Sequence, residues 1–232
     1  LQFFINISHE IRTPMSLIIN PLQQLMAKDK DAECRKLYNT IQRNAERILQ
    51  LVNQLMDIRK IDKGQMSLIF KKAEIVSFTR NLLETFEQQT RIKKLDLKFH
   101  TSAPEIEMWI DPKNFDKIIL NLLSNACKFT PENGQVEISL NTGEDTSLPP
   151  NAPLRRYVEL TVTDSGIGIA STEREHIFER FYQIRNSQNN SNVGTGIGLH
   201  LTHSLVELHH GNIHVEDNGE GKPGSRFIIR LP

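Results

Sequence analysis

Ile41, Ile48 and Leu55 stand seven residues apart, with Leu37, Leu51 and Ile58 beside them, and this spacing constrains the fold more than any other feature of the chain. A seven-residue apolar repeat keeps a single stripe on one side of a helix and demands a second helix to cover it. The preceding stretch repeats the pattern through Phe4, Ile11, Ile18 and Leu25, flanked by Ile7, Met15 and Leu22. Two long helices are therefore expected from residue 1 to about residue 62, joined near residues 28–33. A lone hairpin of this kind leaves much of its stripe in water, so two chains are expected to pair into a homodimeric four-helix bundle.

The repeat stops at Gly64. Beyond it, strand-like runs at 67–70, 95–100, 136–140, 157–163, 213–216 and 226–231 alternate with helical stretches at 74–91, 112–128 and 197–209. The expected architecture is an all-α hairpin domain over residues 1–64, followed by an α/β domain, an α+β sandwich, over residues 65–232. Residues 142–155 carry three prolines and read as a surface loop, whereas residues 186–193 are Asn/Ser-rich and read as mobile.

Lys and Arg total 28 and Asp and Glu total 28, so no net field draws the chain to nucleic acid or to an anionic membrane. Cys34 and Cys127 are the only cysteines and lack the spacing of a metal site or a disulfide framework, which fits a reducing cytoplasm. No run of about twenty apolar residues is present to span a bilayer. Leu1 leads straight into an apolar helical segment without the basic start of a signal peptide, so the chain reads as a piece of a longer protein.

The segment S-H-E-I-R-T-P, Ser8 to Pro14, carries the sharpest chemistry. His9 lies two residues from both Ile7 and Ile11, which places it roughly opposite the apolar stripe and facing water. A neutral imidazole is a good nitrogen nucleophile near pH 7 when its proton sits on the other ring nitrogen. Glu10 is placed to hold that proton at Nδ1 and leave Nε2 to attack. Pro14 frees the carbonyl of Glu10 and permits a bend beside the reactive position. Thr13, four residues after His9, shares its exposed face.

Three further segments carry polar or glycine patterns. Asn121 and Asn125 are four apart, with Lys128 three later, so all share one face of a helix. Two amide carbonyls can meet a hard cation such as Mg²⁺, which takes few protein ligands, and Lys128 adds positive charge for phosphates. Asp164 continues the inward parity of Val158, Leu160 and Val162, so its carboxylate is expected to point inward at a strand end and to need a donor. Gly166 and Gly168 then let the backbone approach a flat ligand such as adenine. Gly194-Thr195-Gly196-Ile197-Gly198-Leu199 opens the last helix, where backbone amides can cradle phosphates. The spacing is not that of a dinucleotide-binding loop, no Walker lysine is present, and H-R-D and D-F-G are absent. His200, His203, His209, His210 and His214 include no thiol or carboxylate set at a catalytic metal spacing, so zinc is not expected.

S-H-E-I-R-T-P resembles the phosphoacceptor motif of the dimerization and histidine-phosphotransfer domain of two-component sensor histidine kinases. Asn121/Asn125, D-S-G-I-G-I, I-F-E-R-F at 177–181, G-T-G-I-G-L and G-S-R-F at 224–227 follow the order seen in Bergerat-type ATP-binding domains. The resemblance covers nearly the whole chain. It implies ATP-dependent phosphorylation of His9, with transfer to an aspartate on a response-regulator receiver, whether separate or fused as in hybrid sensor kinases. It also implies a phosphatase role for Glu10-x-x-Thr13. In that family the asparagines serve Mg²⁺ and phosphate, the aspartate reads adenine and a lid closes over ATP. Those roles carry here to Asn121, Asn125, Lys128, Asp164, Gly166, Gly168, Gly194, Thr195, Gly196, Gly198 and Leu199. The same resemblance implies a cytoplasmic location, with the parent protein held at the inner membrane. The turn at 220–224 is one residue longer than the family's usual form, which leaves its ligand contact open. A conformational ATPase of the same fold, without phosphotransfer, is the alternative.

Overall fold

The computed structural model describes residues 2–29, 31–184, 195–219 and 221–232, with side chains from Ile11 onward. The chain divides into two compact units, Leu1–Met66 and Ser67–Pro232.

The first unit is a helical hairpin. Helix α1 runs Gln2–Lys28 and contains Pro14 and Pro21; helix α2 runs Ala32–Asp62. Asp31 caps α2, its carboxylate accepting from the backbone N–H of Glu33 (2.8 Å) and Cys34 (3.0 Å). Asp29 braces the turn by accepting from the Asp31 N–H and the Tyr38 hydroxyl. That hydrogen bond, aided by burial, pushes the Tyr38 phenol up to about 12. The apolar residues of the hairpin divide into two lines. Met15 and Leu22 of α1 and Ala45 and Ile58 of α2 are buried within the hairpin, whereas Ile18, Leu25, Ile41, Ile48 and Leu55 remain exposed. One chain thus covers only one of its two apolar lines.

The second unit is a sheet covered by helices. Strand β1 (Lys71–Glu74) pairs antiparallel with β3 (Glu107–Ile110) in a small ribbon. Between them lie α3 (Ile75–Glu84), α4 (Glu87–Lys93) and β2 (Asp96–Thr101). Helix α5 (Pro112–Phe129), β4 (Gln135–Glu144), β5 (Arg156–Asp164), α6 (Gly198–Leu208), β6 (Asn212–Asp217) and β7 (Ser225–Leu231) follow. The main sheet has the order β2-β4-β5-β7-β6, in which only β2 and β4 are parallel. Alternation puts Val136, Ile138 and Leu140 of β4 and Leu160 and Val162 of β5 under α5, whose Ile118, Ile119, Leu122 and Leu123 are all but fully buried. Deleting one such side chain costs about 2–5 kcal/mol, so α5 is firmly anchored.

Three sequence expectations need correction. Residues 67–70 form no strand; the Ile69 N–H instead donates to Asp111 Oδ2 at 2.8 Å, tying this segment to the cap of α5. The helix expected over 74–91 is broken: Thr85 and Phe86 donate to carbonyls three residues back, and this tighter turn buries Phe86. Strand β3 was not expected, because Trp109 is exposed and the run is only four residues long.

Two polar devices are invisible to periodicity. Glu74 caps α3, accepting from the N–H groups of Val76, Ser77 and Ile106. Burial acts to raise its pKa, but these donors outweigh it and hold the carboxyl down to about 2. His209 is 2% exposed; its Nδ1 faces the Leu205 carbonyl and its Nε2 accepts from the Asp111 N–H. Burial holds its pKa below the ordinary value, so it serves as a neutral strut.

Candidate nucleotide site

Strand β5 delivers Asp164 to the end of α5. The carboxylate is 5% exposed; Oδ1 accepts from the Gly166 N–H at 2.8 Å and Oδ2 from the Ser225 hydroxyl at 2.5 Å. Burial raises its pKa above the ordinary carboxylate value, although the hydrogen bonds from Ser225 and Gly166 act the other way. An ionised carboxylate accepts about four hydrogen bonds, so acceptor capacity is left for a ligand donor.

Glycines make the approach possible. A Cβ on Gly166 would lie 2.6 Å from the Phe129 carbonyl oxygen, and one on Gly224 would lie 1.8 Å from the Asp164 carbonyl oxygen. Gly224 also has φ +119°, open to glycine alone. The long turn before it is gathered by Asn218, whose amide donates to the carbonyls of Asp164 and Pro223. This turn delivers Ser225 to Asp164. Gly168, with φ +72°, sits against Gly224.

Helix α5 supplies the other end. Asn125 and Lys128 are half-buried, and Lys128 Nζ lies 4.6 Å from the centre of the Phe129 ring. The amide of Asn121 donates to Thr202 Oγ1 on α6 at 2.8 Å, and its Oδ1 lies against Gly198. Asn121 and Phe129 are eight residues apart, about 12 Å along the helix axis, so the site is elongated. Lys93 fixes the C-terminal end of α5: its ammonium donates to the carbonyls of Cys127 (2.7 Å), Lys128 (3.0 Å) and Thr130 (2.6 Å). A cation on free helix carbonyls contributes about 1–2 kcal/mol when partly buried. No motif singled out Lys93, because its partners are backbone atoms more than thirty residues away.

Gly196 has φ +68° and packs on the backbone of Phe181, whose N–H donates to the Gly196 carbonyl at 2.8 Å. Thr195 and Leu199 flank it and are half-buried. His200 binds the neighbouring turn: Arg180 Nε donates to its Nε2 at 2.9 Å, leaving Nδ1 to donate to the Phe178 carbonyl at 2.9 Å. I-F-E-R-F is thereby fastened to the start of α6. Gly194 and the segment 186–193 lie outside the described residues.

On the helical unit, His9 and Glu10 fall on α1, but their side chains lie outside the described residues. Thr13 is exposed. Arg12 donates to Asn53 Oδ1 at 2.8 Å, joining α1 to α2 one residue before Thr13.

The residues fit a nucleotide that carries a metal ion. The Asp164 end offers a buried acceptor and a backbone floor without side chains, the shape an aminopurine requires. At the α5–α6 end the asparagine amides are hard oxygen donors. Among the described residues no cluster of three or more His, Cys, Asp or Glu is poised for a metal, so a cation here would depend on phosphate and water for most of its ligands.

The model of the histidine kinase-, DNA gyrase B-, and HSP90-like ATPases matches residues 110–232, and that of the His Kinase A (phospho-acceptor) domain matches residues 1–64. The chain belongs to the histidine kinases of this ATPase family and carries the two modules of their catalytic core. The sensor histidine kinase TmoS of Ectopseudomonas mendocina is 38% identical over 100% of this chain and 23% of its own length. The hybrid signal transduction histidine kinase D of Dictyostelium discoideum is 36% identical over 100% of this chain and 14% of its own. The chain thus spans less than a quarter of either relative. Full-length ShkA in complex with AMPPNP superposes with a TM-score of 0.77 at 25% identity, covering 100% of this chain and 45% of that one. Among the described residues no helix is long and apolar enough to cross a membrane.

Proposed function

We propose that the chain binds MgATP between α5 and the start of α6, phosphorylates His9, and passes the phosphoryl group to an aspartate on a receiver domain. The observation that carries this reading is the buried Asp164 carboxylate, held by Gly166 and Ser225 with acceptor capacity to spare. The adenine amino group donates to Asp164, while the phosphates lie toward Asn121, Asn125, Lys128 and the Gly194–Gly198 loop. Asn125 and Asn121 are the protein ligands for Mg²⁺, which supplies charge neutralisation on the transferring phosphoryl group.

His9 Nε2 attacks the γ-phosphorus, the bond to the β–γ bridging oxygen breaks, and ADP departs with the electron pair. Glu10 retains the Nδ1 proton and so keeps Nε2 nucleophilic. The receiver aspartate then attacks the phosphorus and His9 leaves as neutral imidazole. With the receiver phosphate in place, Thr13 holds a water in line for hydrolysis.

Two chains pair through Ile18, Leu25, Ile41, Ile48 and Leu55, the line that a single hairpin leaves exposed. The working compartment is the cytoplasm, with the whole protein anchored at a membrane. A conformational ATPase without phosphotransfer has no use for the phosphoacceptor module matched over residues 1–64. The test is incubation with γ-labelled ATP: the protein should gain an acid-labile, base-stable phosphate. An acid-stable label would mean a hydroxyl acceptor and overturn the reading.

A further inference from the structure

The Asn121 amide is gripped by one face of α6. Thr202 is 1% exposed, and its Oγ1 accepts from Asn121 Nδ2 at 2.8 Å. Gly198, one turn earlier on the same face, lies flat against that amide. A Cβ there would stand 2.3 Å from Asn121 Oδ1, 3.0 Å from Cγ and 3.1 Å from Nδ2. An unrestrained asparagine amide turns readily about its last torsion, which exchanges oxygen for nitrogen at little cost. The bond to a buried hydroxyl holds the amide plane, and in the arrangement observed Nδ2 meets Thr202 while Oδ1 lies on the Gly198 side, where α6 begins and its first N–H groups lie free of intrahelical partners.

We propose that Thr202 is a positioning residue for the metal end of the nucleotide site: it touches no ligand, but sets the Asn121 amide so that its oxygen faces cation and phosphate. The assignment rests on the reading that Asn121 and Asn125 serve Mg²⁺. It follows that Thr202 governs how strongly metal and nucleotide reinforce each other, and leaves the adenine end alone. Valine has nearly the shape of threonine but no acceptor. With it, the half-buried Nδ2 loses its partner, and the amide is free to turn. A Thr202 that served only to pack α5 on α6 would, when replaced, weaken nucleotide binding equally with and without metal.

The experiment measures ADP affinity of the full chain by competition, once with excess Mg²⁺ and once in chelator. For Thr202→Val the tightening of ADP by Mg²⁺ falls about tenfold from wild type, while affinity in chelator stays within about twofold. Thr202→Ser keeps the hydroxyl and restores the wild-type response. Thermal unfolding is followed for each variant, and if valine does not pack, Thr202→Ala against Thr202→Ser makes the same comparison. A metal-responsive wild type whose valine or alanine variant responds equally overturns the role of Thr202. So does a serine variant that behaves as valine does. A wild type whose ADP affinity ignores Mg²⁺ overturns the metal reading of Asn121 and Asn125 itself, and this assignment with it.

Discussion

Replacing Asp164 by asparagine separates what the carboxylate does for the ligand from what it does to the fold. The asparagine oxygen can still accept from the Gly166 N–H, and its NH₂ can donate to Ser225 Oγ by turning the hydroxyl around. The two local hydrogen bonds survive. The site then presents a donor where the adenine amino group also donates, so a charge-assisted hydrogen bond is lost. Such a bond contributes about 1.5–3 kcal/mol, equivalent to about a ten- to hundredfold weakening of ATP binding. Guanine, which offers a carbonyl oxygen at the same place, gains a partner, so GTP should lose nothing or bind better.

Stability moves the other way. Burial raises the Asp164 pKa in the fold, so the native state holds its proton more tightly than the unfolded chain does. Its ionised form therefore costs stability as pH rises above the unfolded value, a cost that asparagine does not carry. At pH 7 the free variant should melt at or above wild type, while its stabilisation by saturating ATP is reduced. Thermal shift with ATP and GTP series reads both effects. Equal losses for ATP and GTP would mean that Asp164 does not read the base, and a free variant that melts well below wild type would mean that its ionised form carries no cost in the fold.

Glu74→Ala removes the cap of α3 and should cost about 1–2 kcal/mol. Because the wild-type carboxyl sits at about 2, its contribution is present above about pH 4.5 and lost as pH falls toward 2, so chemical denaturation should show the mutational gap closing over that window. Charges at Ile48 and Leu55 should dissociate or unfold the hairpin, seen by sedimentation; a wild-type chain that sediments as a monomer at micromolar concentration would contradict the pairing. Thr13→Ala should spare phosphorylation of His9 from ATP but slow the decay of receiver phosphate, and equal decay rates would assign that chemistry elsewhere.

Periodicity carried much of the fold into view. Heptads gave the hairpin, and alternation gave β5 with Asp164 at its inner end. The glycine motifs were legible because Gly166 and Gly198 stand where no Cβ fits. Contacts between backbone atoms and distant side chains were not. Lys93 on the carbonyls of α5, Ser225 on Asp164 and Thr202 on Asn121 join positions 34 to 81 residues apart, and no local pattern encodes such pairings. The break at Thr85 was missed because helix propensity continues through it, and burial of Phe86 decides the turn. The histidines gave no hint that His200 and His209 serve as struts, since only their partners define that role.

Phosphorylation of His9 by nucleotide bound in the α/β unit is the step on which the proposed function turns. Its most direct test is wild type against His9→Gln, each incubated with γ-labelled ATP and Mg²⁺, with ATP affinity measured in parallel. The glutamine variant should bind ATP as wild type does and take up no label, whereas undiminished labelling of that variant would place the phosphate on another residue.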